Sequence, residues 1–190
     1  MPIHEYNRTR IAMNVFEAIL KRRSVRKYSS DNIPDDIIEK LLDAAMWAPS
    51  GGNTQPWRFV VVKDEVTRKM LKAVSPGLSG EPSVIIVACV DYGATPDETA
   101  AIKILDMGAT IENLLLAAHA LGLGACWIAS ANWRGVKEAV GIPEHGSIEP
   151  VSLIAVGYPT ENPTPKARRP IEDIVFRDTF GTCWSSSGGS

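Results

Sequence analysis

The residues best suited to chemistry are cationic. Lys21-Arg22-Arg23-Ser24-Val25-Arg26-Lys27 places five basic side chains in seven positions of a 190-residue chain whose formal net charge is −2. A local cationic cluster in a mildly acidic protein points to one specific anion rather than to a polyanion. A second cluster, Lys166, Arg168 and Arg169, stands far along the chain. Guanidinium groups bind phosphate oxygens bidentately. Two such clusters on one phosphate would form a grip that is costly to assemble without the anion. The plain alternative for the first cluster is charge at a helix end, where Lys and Arg are favoured. Between the clusters runs Ala48-Pro49-Ser50-Gly51-Gly52-Asn53-Thr54-Gln55-Pro56-Trp57, a turn-rich loop with two amide side chains. Together the three segments suggest one cofactor site, with separate grips for phosphate, polyol and ring.

Other chemistries lack their residues. No GxxxxGK[ST] occurs, and no GxGxxG follows a strand and opens a helix. No GxSxG elbow and no HExxH or other metal-ligand spacing is present. His4, His119 and His145 are scattered, and His119 lies in an apolar helical run, so it reads as structural. Cys89 and Cys126 sit in apolar runs and read as small buried hydrophobes; with Cys183 they make no disulfide framework and no zinc site. A cofactor grip without an evident nucleophile, base or metal implies that the cofactor supplies the chemistry.

The elements that must position these residues follow from periodicity. Val15, Phe16, Ile19 and Leu20 predict a short amphipathic helix over 14–22 with Asn14 as its cap. Pro34 suits the first turn of a second helix, striped by Ile37, Ile38, Leu41, Leu42 and Ala45. Strands are expected at 58–62, 83–90, 125–129 and 151–156, with one more possible at 174–176. Helices are expected at 64–74, 99–121 and 133–140. The 83–90 run is apolar throughout, which marks a strand covered on both faces. The second half of the 99–121 helix is apolar almost all round, so it is buried on more than one side; a second subunit is one way to do this. The pattern predicts an α/β or α+β sandwich with helices on the sheet faces.

Composition sets the class. Hydrophobic residues make up 45% and charged residues 22%, with a pI near 5.9, which describes a single globular domain and disfavours nucleic-acid binding. No apolar run approaches the roughly 20 residues needed to span a bilayer, and residues 1–14 show no apolar core of a signal peptide. A cytoplasmic protein is expected, with a flexible segment at 1–13, one domain at 14–180 and a disordered Ser/Gly-rich tail at 181–190.

Four stretches resemble the FMN-dependent nitroreductase family in its order: Arg22-Arg23-Ser24-Val25-Arg26, the 48–59 loop and strand, Glu112-Asn113-Leu114-Leu115-Leu116-Ala117-Ala118-His119-Ala120-Leu121-Gly122-Leu123-Gly124, and Lys166-Ala167-Arg168-Arg169-Pro170. The resemblance implies an α+β, three-layer α/β/α sandwich with a mixed sheet of four to five strands, in an interlocked homodimer carrying FMN at the subunit interface. It implies that Arg22, Arg23, Ser24 and Arg26 hold FMN, with Lys166, Arg168 and Arg169 as a late phosphate clamp. Pro49, Ser50, Gly51, Asn53 and Gln55 would reach the flavin from the other subunit. Ala129 and Ser130 would lie by flavin N5, with Ala-Ser in place of the family's Gly or Glu-Gly. Trp127 and Trp133 are candidates for the acceptor slot, with a core or interface role the alternative. The implied reaction is ping-pong hydride transfer from NAD(P)H through FMN to a small organic acceptor. Alternatives are a branch resembling the flavin subunit of cyclic dipeptide oxidases, which needs a small partner subunit, and a non-catalytic flavin-binding module.

Overall fold

The computed structural model describes residues 13–93 and 99–184. The expected flexible segment 1–13 therefore lies outside the described residues except for Met13, as does 185–190 of the tail. Among the described residues five helices and four strands follow in the order α1 (Val15–Lys21), α2 (Asp35–Met46), β1 (Trp57–Val62), α3 (Glu65–Val74), β2 (Val84–Asp91), α4 (Ala100–Ala120), β3 (Gly124–Ile128), α5 (Trp133–Val140) and β4 (Ile148–Gly157). Single 3-10 turns occur at Gly51–Asn53 and Ile171–Asp173.

Side-chain caps fix where several helices begin. The Asn14 side chain accepts from Glu17 N–H at 2.9 Å, Asp64 from Thr67 N–H at 2.8 Å, and Asn132 from Gly135 N–H at 3.3 Å. Pro34 is the N-cap of α2 rather than part of its first turn.

The sheet order is β1-β2-β4-β3. Every ladder between these strands is antiparallel, so the expected mixed sheet is corrected. Among the described residues a parallel pairing survives only as the isolated bridge between Ser24 and Ala125. The possible strand at 174–176 is likewise absent: Phe176 makes one bridge, to Cys183, across a turn.

Strand β2 divides the core. Val84, Ile86, Ala88 and Val90 face the cluster built with α2 and α4, while Ile85, Val87 and Cys89 face the one built with α3 and α5. Alternation along a strand covered on both faces thus makes a three-layer α/β/α sandwich. Among the described residues no helix is long and apolar enough to cross a membrane.

Candidate functional site

Helix α1 ends at Lys21, and the chain turns to extended backbone at Arg22 (φ −54°, ψ 134°). The basic segment then runs beside the outer strand β3 and the exit of β4. Val25 N–H donates to Ala125 O at 3.0 Å, Ser29 N–H to Tyr158 O at 2.9 Å, and Thr160 N–H to Lys27 O at 3.0 Å. Close approach needs glycine at two points. A Cβ on Gly124 would lie 2.7 Å from a Val25 methyl, and one on Gly80 (φ +73°) would lie 2.1 Å from Arg26 O.

This path brings the two basic clusters together. Arg22, Arg23, Ser24, Arg26, Pro163, Thr164, Lys166 and Arg168 line one cavity of ≈ 170 Å³. Arg22 is oriented by an ion pair from its Nε to Glu112 of α4 at 3.3 Å. Arg23 Nη1 donates to Leu20 O and Arg22 O at 2.8 and 2.6 Å, so part of this guanidinium does close the helix end. The Nε atoms of Arg22 and Arg23 are nevertheless buried without a hydrogen bond. Among the described residues no carboxylate pairs with Arg23, Arg26, Lys166 or Arg168. Buried donors with spare capacity beside unpaired cations fit a compact polyanion such as a phosphomonoester. Lys21 instead pairs with Glu17 one turn back, as a solvated helix charge does.

Arg169 stands apart. Its guanidinium donates to Asp173 O at 3.3 Å and pairs with the Asp173 carboxylate at 3.9 Å, outside the cavity lining.

The loop at 49–55 does not line that cavity within one chain. Gly52, Asn53 and Gln55 all have left-handed backbone, with φ of 57°, 55° and 49°. For the two non-glycines this costs about 1–3 kcal/mol each, a strain typical of functional loops. The loop is tied down by Gly51 N–H, which donates to the buried Asp106 carboxylate, and by Gln55 N–H, which donates to Ser50 Oγ at 3.1 Å. Pro49 and Gly51 to Gln55 are exposed.

Ala129 and Ser130 lie exposed just past the end of β3, where Ser130 O accepts from Ser75 Oγ at 2.9 Å. Among the described residues neither N–H is taken by a hydrogen bond. Trp127 is 41% exposed; its ring edge lies over Gly108 of α4, where a Cβ would meet it at 3.9 Å, and its indole N–H donates to Ser152 Oγ. Trp133 packs instead against the α3–α5 core.

Burial pushes the Cys89 thiol up to about 12 and raises that of Cys126, so neither offers a thiolate. His119 Nε2 is buried and unpartnered near the cations. Burial first, then Arg22, Arg23 and Lys21, hold its pKa below the ordinary value, against Glu17. Sequence reasoning missed Glu112, Asp106 and Glu161. A usable signal existed for two of them: Glu112 is the one charge in the apolar half of α4, and Glu161 the one acid between Tyr158 and Lys166.

Comparisons with known proteins agree with this layout. The profile of the nitroreductase family matches residues 19–82 and 75–158. A protein of Methanothermobacter thermautotrophicus, provisionally named NADH dehydrogenase/NAD(P)H nitroreductase, is 38% identical over 157 residues, 80% of each chain. The NADPH-flavin oxidoreductase of Vibrio harveyi is 29% identical over 181 residues, 88% of this chain and 75% of its own. A provisionally named nitroreductase from Desulfovibrio desulfuricans, crystallised in complex with FMN, superposes with a TM-score of 0.79 at 32% identity, covering 88% of this chain and 98% of that one. On the matched profile and this shared layout, the chain belongs to the nitroreductase family.

Proposed function

We propose that the cationic cavity holds the phosphate of FMN and that the chain acts as a homodimeric oxidoreductase using NAD(P)H. The observation that carries this reading is the convergence of Arg22, Arg23, Arg26, Lys166 and Arg168 on one small cavity. Two relatives point the same way: one is named a flavin oxidoreductase and one was crystallised with FMN. When bound, FMN would accept hydride at N5 from NAD(P)H and pass it to a small organic acceptor such as a nitroaromatic, quinone or enone.

The chain's own part is to bind, orient and stabilise charge. Arg22, Arg23, Arg26, Lys166 and Arg168 would hold the phosphate end, with Ser24 as a neutral hydroxyl beside them. Arg22 or Arg26 would stabilise negative charge at the ring edge. The untaken N–H groups of Ala129 and Ser130 are donors suited to a flavin ring nitrogen. The strained loop with Pro49, Ser50, Gly51, Asn53 and Gln55 would be supplied by the second copy, because it does not reach its own chain's cavity. Arg169 has its own carboxylate partner and is assigned no contact. Trp127 is retained as a wall of the acceptor slot.

Apolar exposure supports the second copy. Phe16 is 73% exposed, Leu20 69%, Trp47 78% and Phe180 93% in the single chain. Phe16 and Leu20 stand one turn apart on α1, and exposed apolar surface of this kind suits an interface.

The test is the bleaching of the yellow protein by NADH or NADPH without oxygen, with Arg22→Glu in parallel. The wild type is expected to bleach and to reduce a quinone in a second half-reaction. Arg22→Glu is expected to purify folded and at least tenfold poorer in flavin. Bound flavin that resists reduction would favour a binding module; a colourless protein that takes up no FMN would sink both readings.

A further inference from the structure

The two halves of the cavity come from opposite ends of the chain, and one side chain ties them. Glu161 Oε1 accepts from the backbone N–H of Arg26 at 2.6 Å and of Lys27 at 3.2 Å. Main-chain pairing between the basic segment and the arm after β4 ends just before it, with Thr160 N–H on Lys27 O. Pro163 and Pro165 have no N–H with which to extend that pairing. Among the described residues, Glu161 is the last link between the two strips before the arm supplies Pro163, Thr164, Lys166 and Arg168 to the cavity.

Its choice of partner is informative. A carboxylate set against Arg26 and Lys27 could pair with their charged heads and cancel part of the field. Here Oε1 binds backbone amides, and no ion pair joins Glu161 to any cavity cation among the described residues. The side chain therefore adds geometry without consuming a phosphate donor.

We propose that Glu161 is a positioning residue, a strut that holds Arg26 and the 163–168 arm at the spacing a phosphomonoester requires. The occupant is taken from the FMN reading above. The strut acts through an acceptor oxygen rather than through charge, so an amide can replace it.

The experiment compares wild type, Glu161→Ala and Glu161→Gln. FMN affinity is read by flavin fluorescence, inorganic phosphate binding by calorimetry, and amide exchange at Arg26 and Lys27 by NMR. In Glu161→Ala, FMN Kd is expected to rise at least tenfold, phosphate binding to weaken, and the two amides to exchange faster. Glu161→Gln should stay within threefold of wild type, and the KM for NADH of the fully loaded enzyme should not move. Wild-type flavin affinity in Glu161→Ala, or a glutamine variant as weak as the alanine one, would overturn the strut. Glu161→Met replaces the alanine variant if that one does not fold. A wild type that ignores FMN, yet binds phosphate in a Glu161-dependent way, would remove the FMN reading and leave the strut standing. A wild type that binds neither would overturn both.

Discussion

The backbone N–H of Gly51 donates to the carboxylate of Asp106, 3.2 and 3.3 Å from its two oxygens. A buried acid on the long helix α4 thus fixes the start of the loop whose Asn53 and Gln55 carry left-handed backbone. The contact joins the interior of one layer to a strained loop.

Replacement of Asp106 by alanine removes the acceptor and leaves Gly51 N–H without it. The expected loss is about 1–3 kcal/mol, or roughly 2–4 °C in Tm for each kcal/mol in a chain of this size. Thermal denaturation measures the loss, and limited proteolysis should show new cleavage within residues 49–55. An unchanged Tm with an uncut loop would mean that the strained turn holds itself.

His119 gives a pH signature. Its folded-state pKa lies below the ordinary value near 6.5, through burial and then Arg22, Arg23 and Lys21. The unfolded chain therefore binds this proton more readily than the folded one. Stability is fully present above about pH 6.5 and falls as pH drops through the folded value. His119→Gln should flatten that acid limb in denaturant titrations. Inorganic phosphate in the cavity would offset the cations and move the NMR titration of His119 upward. A midpoint above 6.5 in the phosphate-free protein would contradict the assignment.

The face of α1 carrying Phe16 and Leu20 is expected to meet a second copy. A Phe16→Glu, Leu20→Glu double variant should weaken self-association at least tenfold by sedimentation while its circular dichroism stays native. Wild type sedimenting as a monomer at micromolar concentration would remove the homodimer.

Much of this layout was readable in advance, for physical reasons. The start of α1 was marked by Asn14, whose side chain acts locally; Asp64 and Asn132 cap α3 and α5 in the same way without having been read as caps. The meeting of Arg22, Arg23 and Arg26 with Lys166 and Arg168 could be inferred because cations in an acidic chain need a reason to cluster. Strand direction could not. β2 is apolar on both faces, a pattern common in parallel sheets, yet its partners β1 and β4 both run against it; residue type alone carries no direction. Arg169 could not be separated from Arg168 either, because only the 3-10 turn at Ile171–Asp173 brings the Asp173 carboxylate to it. Glu161 stood out as the one acid of its stretch, but its role did not: its partners are main-chain amides 135 and 134 positions away, and amides have no sequence signature.

The cavity's two-ended construction has a consequence for biosynthesis. Arg22, Arg23 and Arg26 leave the ribosome early, but Lys166 and Arg168 follow only after β4 has been made. A nascent chain can therefore assemble much of its core while owning half of the proposed anion grip. Loading would be a checkpoint on completion, and a chain cut between Tyr158 and Lys166 would keep its sheet and lose its hold.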